Sequence, residues 1–241
     1  MSAIVVFLLF VSALANVVGG AMYVLRRHWE QESLRLLIGA GAGFMLAVSL
    51  AEIFPEAMER TPAAPMWALI GFLVVHLFEH VLTPHFHYGH ERHEGLGSHV
   101  GVAATAGLVM HSVTDGVAIV AGFQVGAPLG YMILVAAVWH KVPAGFTAAS
   151  VVGATGQSRT MAMLSAGAVG AGTLLGGIVY GLLPPDLWLG GALGISVGSL
   201  LHVAATDLLP EINRRRSVFA PLGVIIGVGF FYLTHVLTHA H

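Results

Sequence analysis

The sequence predicts an all-α multi-pass membrane protein: eight transmembrane helices in a 3+2+3 inverted-repeat bundle, with both termini outside. Three observations carry that expectation. Of 241 residues, 56% are hydrophobic and only 9% are charged, against roughly 25% charged in an ordinary soluble domain. Apolar stretches of about 20 residues, enough for a helix to cross the hydrocarbon core, recur along the whole chain. A motif over residues 43–56 returns, at a constant offset, over residues 198–211.

The apolar stretches occupy residues 3–25, 34–55, 66–82, 99–123, 128–152, 161–183, 187–209 and 218–237. The first is too long for a cleaved signal peptide and lacks the positive start of one, so it is read as a true span. Glycine stands at 31 residues, roughly double its usual share, as close helix packing inside a bilayer demands. The whole chain, 1–241, reads as a single transmembrane domain carrying one His-rich cytoplasmic loop, 84–98.

Composition also excludes chemistry. There is no cysteine, so disulfides, thiolate metal sites and cysteine nucleophiles are ruled out. A net charge of −2 offers no basic patch for nucleic acid. Any metal must be held by histidine, carboxylate, methionine or oxygen donors. Fourteen histidines in so apolar a chain are the feature that needs a reason.

Arginine sets the expected orientation, because cytoplasmic loops collect positive charge. Arg26, Arg27, Arg35, Arg92, Arg159, Arg214, Arg215 and Arg216 all follow odd-numbered stretches, and only Arg60, beside Glu59, falls on the other side. The remaining basic residue, Lys141, lies inside the fifth stretch. A charge at that depth costs at least ~2.5–3.5 kcal/mol on insertion scales and therefore normally has a partner and a role.

In the repeat, Glu52, Pro55 and Glu56 of the first copy correspond to Asp207, Pro210 and Glu211 of the second. One copy ends the second stretch outside and the other ends the seventh inside. Related sequence in opposite orientation is the mark of an inverted-repeat transporter; the alternative is convergent use of Pro-Glu at a helix end. The fourth and fifth stretches would then lie between the repeats.

Those two stretches hold the most concentrated polar chemistry. His111-Ser112-Val113-Thr114-Asp115-Gly116 places an imidazole and a carboxylate at i and i+4 on one helical face, a spacing at which both can hold one divalent cation. The bland alternative is a His–Asp hydrogen bond that packs two helices. His140-Lys141-Val142-Pro143-Ala144-Gly145 adds a second histidine and a mid-helix proline, which is expected to break the helix and free backbone carbonyls. Such irregular backbone is tolerated only against protein or a water-filled cavity.

The pair His-Ser-x-x-Asp-Gly and His-Lys-x-Pro-Ala-Gly resembles the paired metal-binding motifs of the ZIP family of zinc and divalent-metal transporters, and is most similar to the branch that includes the Golgi-type eukaryotic members. The resemblance covers the whole chain. It implies a metal site at mid-membrane between the fourth and fifth spans, with His111, Asp115 and His140 as ligands and Met45 matching a ligand from the second span. It also implies inward transport of Zn²⁺ or a related cation as substrate, with no separate cofactor and no enzymatic activity. Many members build a second metal site from residues that here are Ser112, Lys141 and Ala144. A protonated lysine repels a cation, so that second site is expected to be absent and Lys141 to replace it electrostatically. The family's fourth-span proline is Thr114 here, which predicts a straighter helix.

Other polar residues take supporting parts in this reading. Glu52, Glu56 and Glu59 would gather cations at the outer mouth, and His202, Asp207 and Glu211 would form the inner exit. In the loop, His85, His87, His90 and His93 form a tract of the kind that captures metal weakly; an incidental polar linker is the alternative. The expected partners are divalent metal ions and the lipid bilayer of the plasma membrane, with a homodimer as a candidate assembly. A rival from another class rests on His76-Leu77-Phe78-Glu79-His80, which fits the His-x-x-Glu-His pattern of zinc peptidases. A His-ligated haem protein is a third reading.

Overall fold

The computed structural model describes residues 1–25, 31–78, 98–184, 188–213 and 217–239. Among these there is no strand. The helices are α1 (Ala3–Leu25), α2 (Gln31–Val48), α3 (Phe54–Arg60), α4 (Ala64–Leu77), α5 (Ser98–Val125), α6 (Ala127–Ala154), α7 (Arg159–Gly181), α8 (Leu189–His202), α9 (Leu209–Asn213) and α10 (Phe219–His239). Two π-helical steps, Ser49–Ile53 and Val203–Leu208, carry α2 into α3 and α8 into α9.

Seven of the resulting rods are long and apolar enough to cross a membrane: Ala3–Leu25, Ile38–Arg60, Ala104–Val125, Ala127–Gly153, Arg159–Gly181, Leu189–Leu208 and Phe219–Val236. The chain is therefore an all-helical integral membrane protein. The third expected span is represented by α4, an apolar helix of 14 residues, and the rest of that stretch lies outside the described residues.

Local sequence explains the breaks. Ser158 caps α7, its hydroxyl accepting from the Met161 N–H at 3.2 Å. Gly126 alone separates α5 from α6, and Pro128 opens α6 in its first turn, where a missing N–H is harmless. The π-helical steps have a shared cause. Pro55 and Pro210 would drive their rings into the carbonyls of Ala51 and Thr206, four residues earlier, and both carbonyls belong to the widened turns. The two steps occupy corresponding positions in the repeated motif.

Pro143 acts differently from its expected part as a helix breaker: α6 runs without interruption from Ala127 to Ala154. Proline removes one donor, and here the packing of α1, α5 and α7 against α6 holds the rod in place. α5, with Thr114 in place of proline, is likewise unbroken over 28 residues.

The rods pack in a regular scheme. α1 and α5 each lie against both α6 and α7, while α2 pairs with α10 and α4 with α8. Exchanging α1 with α7, α2 with α8, α4 with α10 and α5 with α6 leaves these principal pairings unchanged. Glycine permits the closest approaches. A methyl group on Gly116 would overlap the Thr173 carbonyl, one on Gly145 the Asn16 carbonyl, and one on Gly43 the Val224 carbonyl. Contacts of backbone on backbone are how helices associate where lipid removes the hydrophobic drive.

Gly43→Ala should accordingly force α2 from α10, at the ~1–3 kcal/mol typical of overpacking, and lower the thermal midpoint in detergent. Gly229→Ala on α10, where an added methyl meets nothing within 4 Å, should leave the midpoint unchanged and serves as the control.

Candidate metal centre

α5 presents His111 and Asp115 one turn apart, and α6 presents His140 and Lys141 against them. All four side chains are buried. Asp115 Oδ2 is the common point, lying 2.9 Å from Lys141 Nζ, 3.0 Å from His140 Nε2 and 3.3 Å from His111 Nε2. The two Nε2 atoms are 3.3 Å apart. Ligand atoms of His111, Asp115 and His140 all fall within 4.8 Å of one another, close enough to share a metal ion.

Hydrogen bonds on the far side of each ring assign the tautomers. His140 Nδ1 lies 2.8 Å from the Ala136 carbonyl, which can only accept, so Nδ1 is a donor. For His111 the chain is longer. Thr114 donates its one hydroxyl proton to the His111 carbonyl at 2.6 Å, so it must accept from Ser199 at 2.7 Å. Ser199 has then given away its proton and accepts from His111 Nδ1–H at 3.2 Å. With Nδ1 committed on the outer side, both rings turn Nε2 toward the Asp115 carboxylate, and Nε2 is the atom each ring offers to a cation. Three electron-rich atoms converge on one volume, and the Lys141 ammonium supplies positive charge at its edge. That is a donor set suited to a divalent cation of the zinc type.

The other residues singled out from the sequence divide into separate groups. Ser112 Oγ lies 3.5 Å from Lys141 Nζ. Met45 is fully buried in the apolar core on α2, next to Phe44, which stacks on Trp139 of α6. Glu52, Glu56 and Glu59 line one cleft of about 370 Å³ with the α5–α6 turn at Val125, Gly126 and Pro128. Within it Glu52 pairs with His235 at 2.9 Å and Glu56 with Arg60 at 2.8 Å. His202 is buried on α8, its Nδ1 4.0 Å from Asp207 Oδ2, and Glu211 is on α9. His85, His87, His90 and His93 lie outside the described residues, as do Glu79 and His80 of the peptidase-like pattern.

Sequence reasoning missed Ser199, which orients His111, and put His76 of α4 in the peptidase-like pattern, whereas its Nδ1 lies 3.3 Å from His202 Nε2. A signal for the α8 residues existed in the repeat. Ser199 and His202 correspond to Phe44 and Ala47 of the first copy, so the second copy carries polar groups where the first is apolar. Ser199→Ala removes the acceptor that holds the His111 proton on Nδ1. Histidine ¹⁵N chemical shifts should show a single Nδ1–H tautomer for His111 in the unaltered protein and a mixture in the variant.

Comparison with known proteins agrees with this chemistry. The chain is 25% identical over 241 residues to "Zinc transporter ZupT" of Salmonella paratyphi A (strain ATCC 9150 / SARB42), with 92% of each chain covered. The same identity and coverage hold for the proteins of that name from Salmonella newport (strain SL254) and Salmonella heidelberg (strain SL476). Residues 90–235, more than half of the chain and including both histidine motifs, match the family described as ZIP Zinc transporter. The protein belongs to the ZIP zinc transporter family.

Proposed function

We propose that this chain transports Zn²⁺, or a related divalent cation, into the cytoplasm through a mid-membrane site made by His111, Asp115 and His140, with Met45 as a further donor from α2. The observation that carries the reading is the convergence of three buried ligand atoms, His111 Nε2, His140 Nε2 and Asp115 Oδ2, on one small volume. Imidazole with carboxylate suits zinc without selecting it over every neighbour in the series. Family membership and the zinc-transporting names of the relatives support the same substrate.

The route begins at the cleft of Glu52, Glu56 and Glu59 and passes the central site. It leaves by His202, Asp207 and Glu211, with His76 beside His202. α8 links centre to exit, since Ser199 touches His111 and His202 follows one turn later. Eight spans in a 3+2+3 inverted repeat, with both termini outside, are supported by the arginine distribution, by the exchange symmetry of the packing and by the paired π-helical steps. Those repeats moving against the central pair of spans would open the site to each side in turn. Lys141 and Ser112 stand in place of a second metal site, and the His140-Lys141-Val142-Pro143-Ala144 sequence supports the branch resembling the Golgi-type members. The chain acts as one transmembrane domain, 1–241, in the plasma membrane, and the 84–98 loop captures metal through His85, His87, His90 and His93.

Metal uptake into proteoliposomes, run beside a peptidase assay, tests the reading against the hydrolase built on His76, Glu79 and His80. His111→Ala and Asp115→Ala should each abolish saturable uptake while the protein stays folded and inserted; uptake equal to the unaltered protein would place the site elsewhere. Deleting residues 86–94 should change apparent affinity and leave substantial transport. Complete loss in a well-expressed deletion would make the loop part of the path.

A further inference from the structure

We propose that Ser12, Asn16 and Thr173 form a second seat for the Lys141 ammonium, taken when a metal holds Asp115. The proposal rests on the metal-site reading above and adds an internal cation-binding site to it.

Glycine contacts fix the register of the helices around Lys141. α1 and α6 run side by side in the same direction: Gly19 abuts Val142 and Phe146, Asn16 abuts Gly145, and Tyr23 abuts Gly153. One turn earlier on each helix, Ser12 comes to the level of Lys141. α7 runs the other way along α1, with Gly170 against Ala13 and Gly177 against Leu9, so Thr173 falls beside Ser12. α7 also meets α5 there, the Thr173 carbonyl touching Gly116, and Gly172 facing the Ser112 Cβ. Ser112 in turn is 3.5 Å from Lys141 Nζ. Ser12 and Thr173 thus flank the lysine at its own depth, and Asn16 lies one turn along.

All three side chains are completely buried, and Ser12 Oγ, Asn16 Oδ1 and Nδ2, and Thr173 Oγ1 make no hydrogen bond. Ser49 Oγ and Tyr180 OH also make no hydrogen bond, but many hydroxyls of the bundle satisfy themselves on the preceding turn, as Thr105 does on Gly101, Thr147 on Pro143 and Ser196 on Ala192. Ser12 and Thr173 do not, and orphaned groups at such depth destabilise the fold. An ammonium offers three donors and no acceptor, which matches three oxygens waiting for donors. Asp115 Oδ2 is the atom for which lysine and metal compete. On the seat, the Lys141 side chain stays near enough to the site to act on the bound metal.

The first test needs no metal. In Asp115→Asn the ammonium loses its anionic partner, and a high-resolution structure of that protein without metal should show Lys141 Nζ within hydrogen-bonding distance of Thr173 Oγ1 and of Ser12 or Asn16. Nζ remaining at the side chain of position 115, or turned to another partner, overturns the proposal. This result stands whether or not the central site binds zinc, so failure of the transporter reading and failure of the seat are told apart. The second test is equilibrium zinc binding. Thr173→Val should weaken binding about tenfold by leaving the displaced lysine unseated, Thr173→Ser should restore it, and neither change should matter in a Lys141→Met background. An equal loss in both backgrounds would make Thr173 a packing residue. Release of one proton per zinc, measured across buffers of different ionisation enthalpy, would mean that the lysine discharges instead of moving. Either outcome overturns the seat.

Discussion

One oxygen, Asp115 Oδ2, sets the terms for the centre of this protein. A carboxylate buried among transmembrane helices must be neutralised where it lies, and Lys141 does so at 2.9 Å. The pair comes from different helices, so it holds α5 against α6 at the depth of the site. Both helices must then meet their other neighbours closely, and Gly116 and Gly145 lie one residue and four residues from the two charges, each under a carbonyl of the facing helix. The rings of His111 and His140 complete the shell, with their outer nitrogens committed to Ser199 and to the Ala136 carbonyl. Charge neutralisation thus places the helices, and the placed helices orient the lone pairs.

The same charge pair explains why one polar seam is finished and its neighbour is not. On the histidine side, every donor around the carboxylate has an assigned acceptor through the Ser199–Thr114 relay. On the α1 and α7 side, oxygens remain without donors. A buried network left half satisfied is less favourable than an apolar core of equal shape. Its presence beside the one lysine of the chain fits a region that serves two arrangements of the same ammonium, each leaving a different set of oxygens bare.

Much of the fold was legible because the signals that encode it are one-dimensional. A run of about 20 apolar residues announces a span without knowledge of its neighbours, and seven such rods are present among the described residues. Proximity of His111 to Asp115 followed from a one-turn spacing on a single helix, and the approach of His140 followed from motif resemblance. The π-helical steps were not legible: Pro55 and Pro210 announce an obstacle, but whether a helix breaks, kinks or widens depends on what packs around it. Pro143 makes the point, since the same residue type leaves α6 continuous. Ser199 escaped, and His76 showed only its local peptidase-like pattern, because each touches a residue far along the chain, Ser199 touching His111 and His76 touching His202. A lone serine in a glycine-rich helix carries no mark of that.

The differences between the two copies of the repeat bear on direction. In the proposed inverted repeat, corresponding helices approach the centre from opposite sides, so identical copies would present identical surfaces to a cation arriving either way. Here they differ where it matters. Ser199 and His202 replace the apolar Phe44 and Ala47 of the first copy, while the first copy keeps its carboxylates in an open cleft at the start of α3. Along the proposed route, a hydrated ion first meets carboxylates that attract it without stripping its water. It then meets the buried imidazoles and Asp115, which replace that water, and beyond them the His76–His202 pair one turn past Ser199, ahead of Asp207 and Glu211. A dehydrating ladder with unequal ends makes loading from one side and release to the other chemically distinct steps. In this sequence the inequality is written into the second repeat by Ser199, His202 and Thr206, which stand where the first copy has Phe44, Ala47 and Ala51.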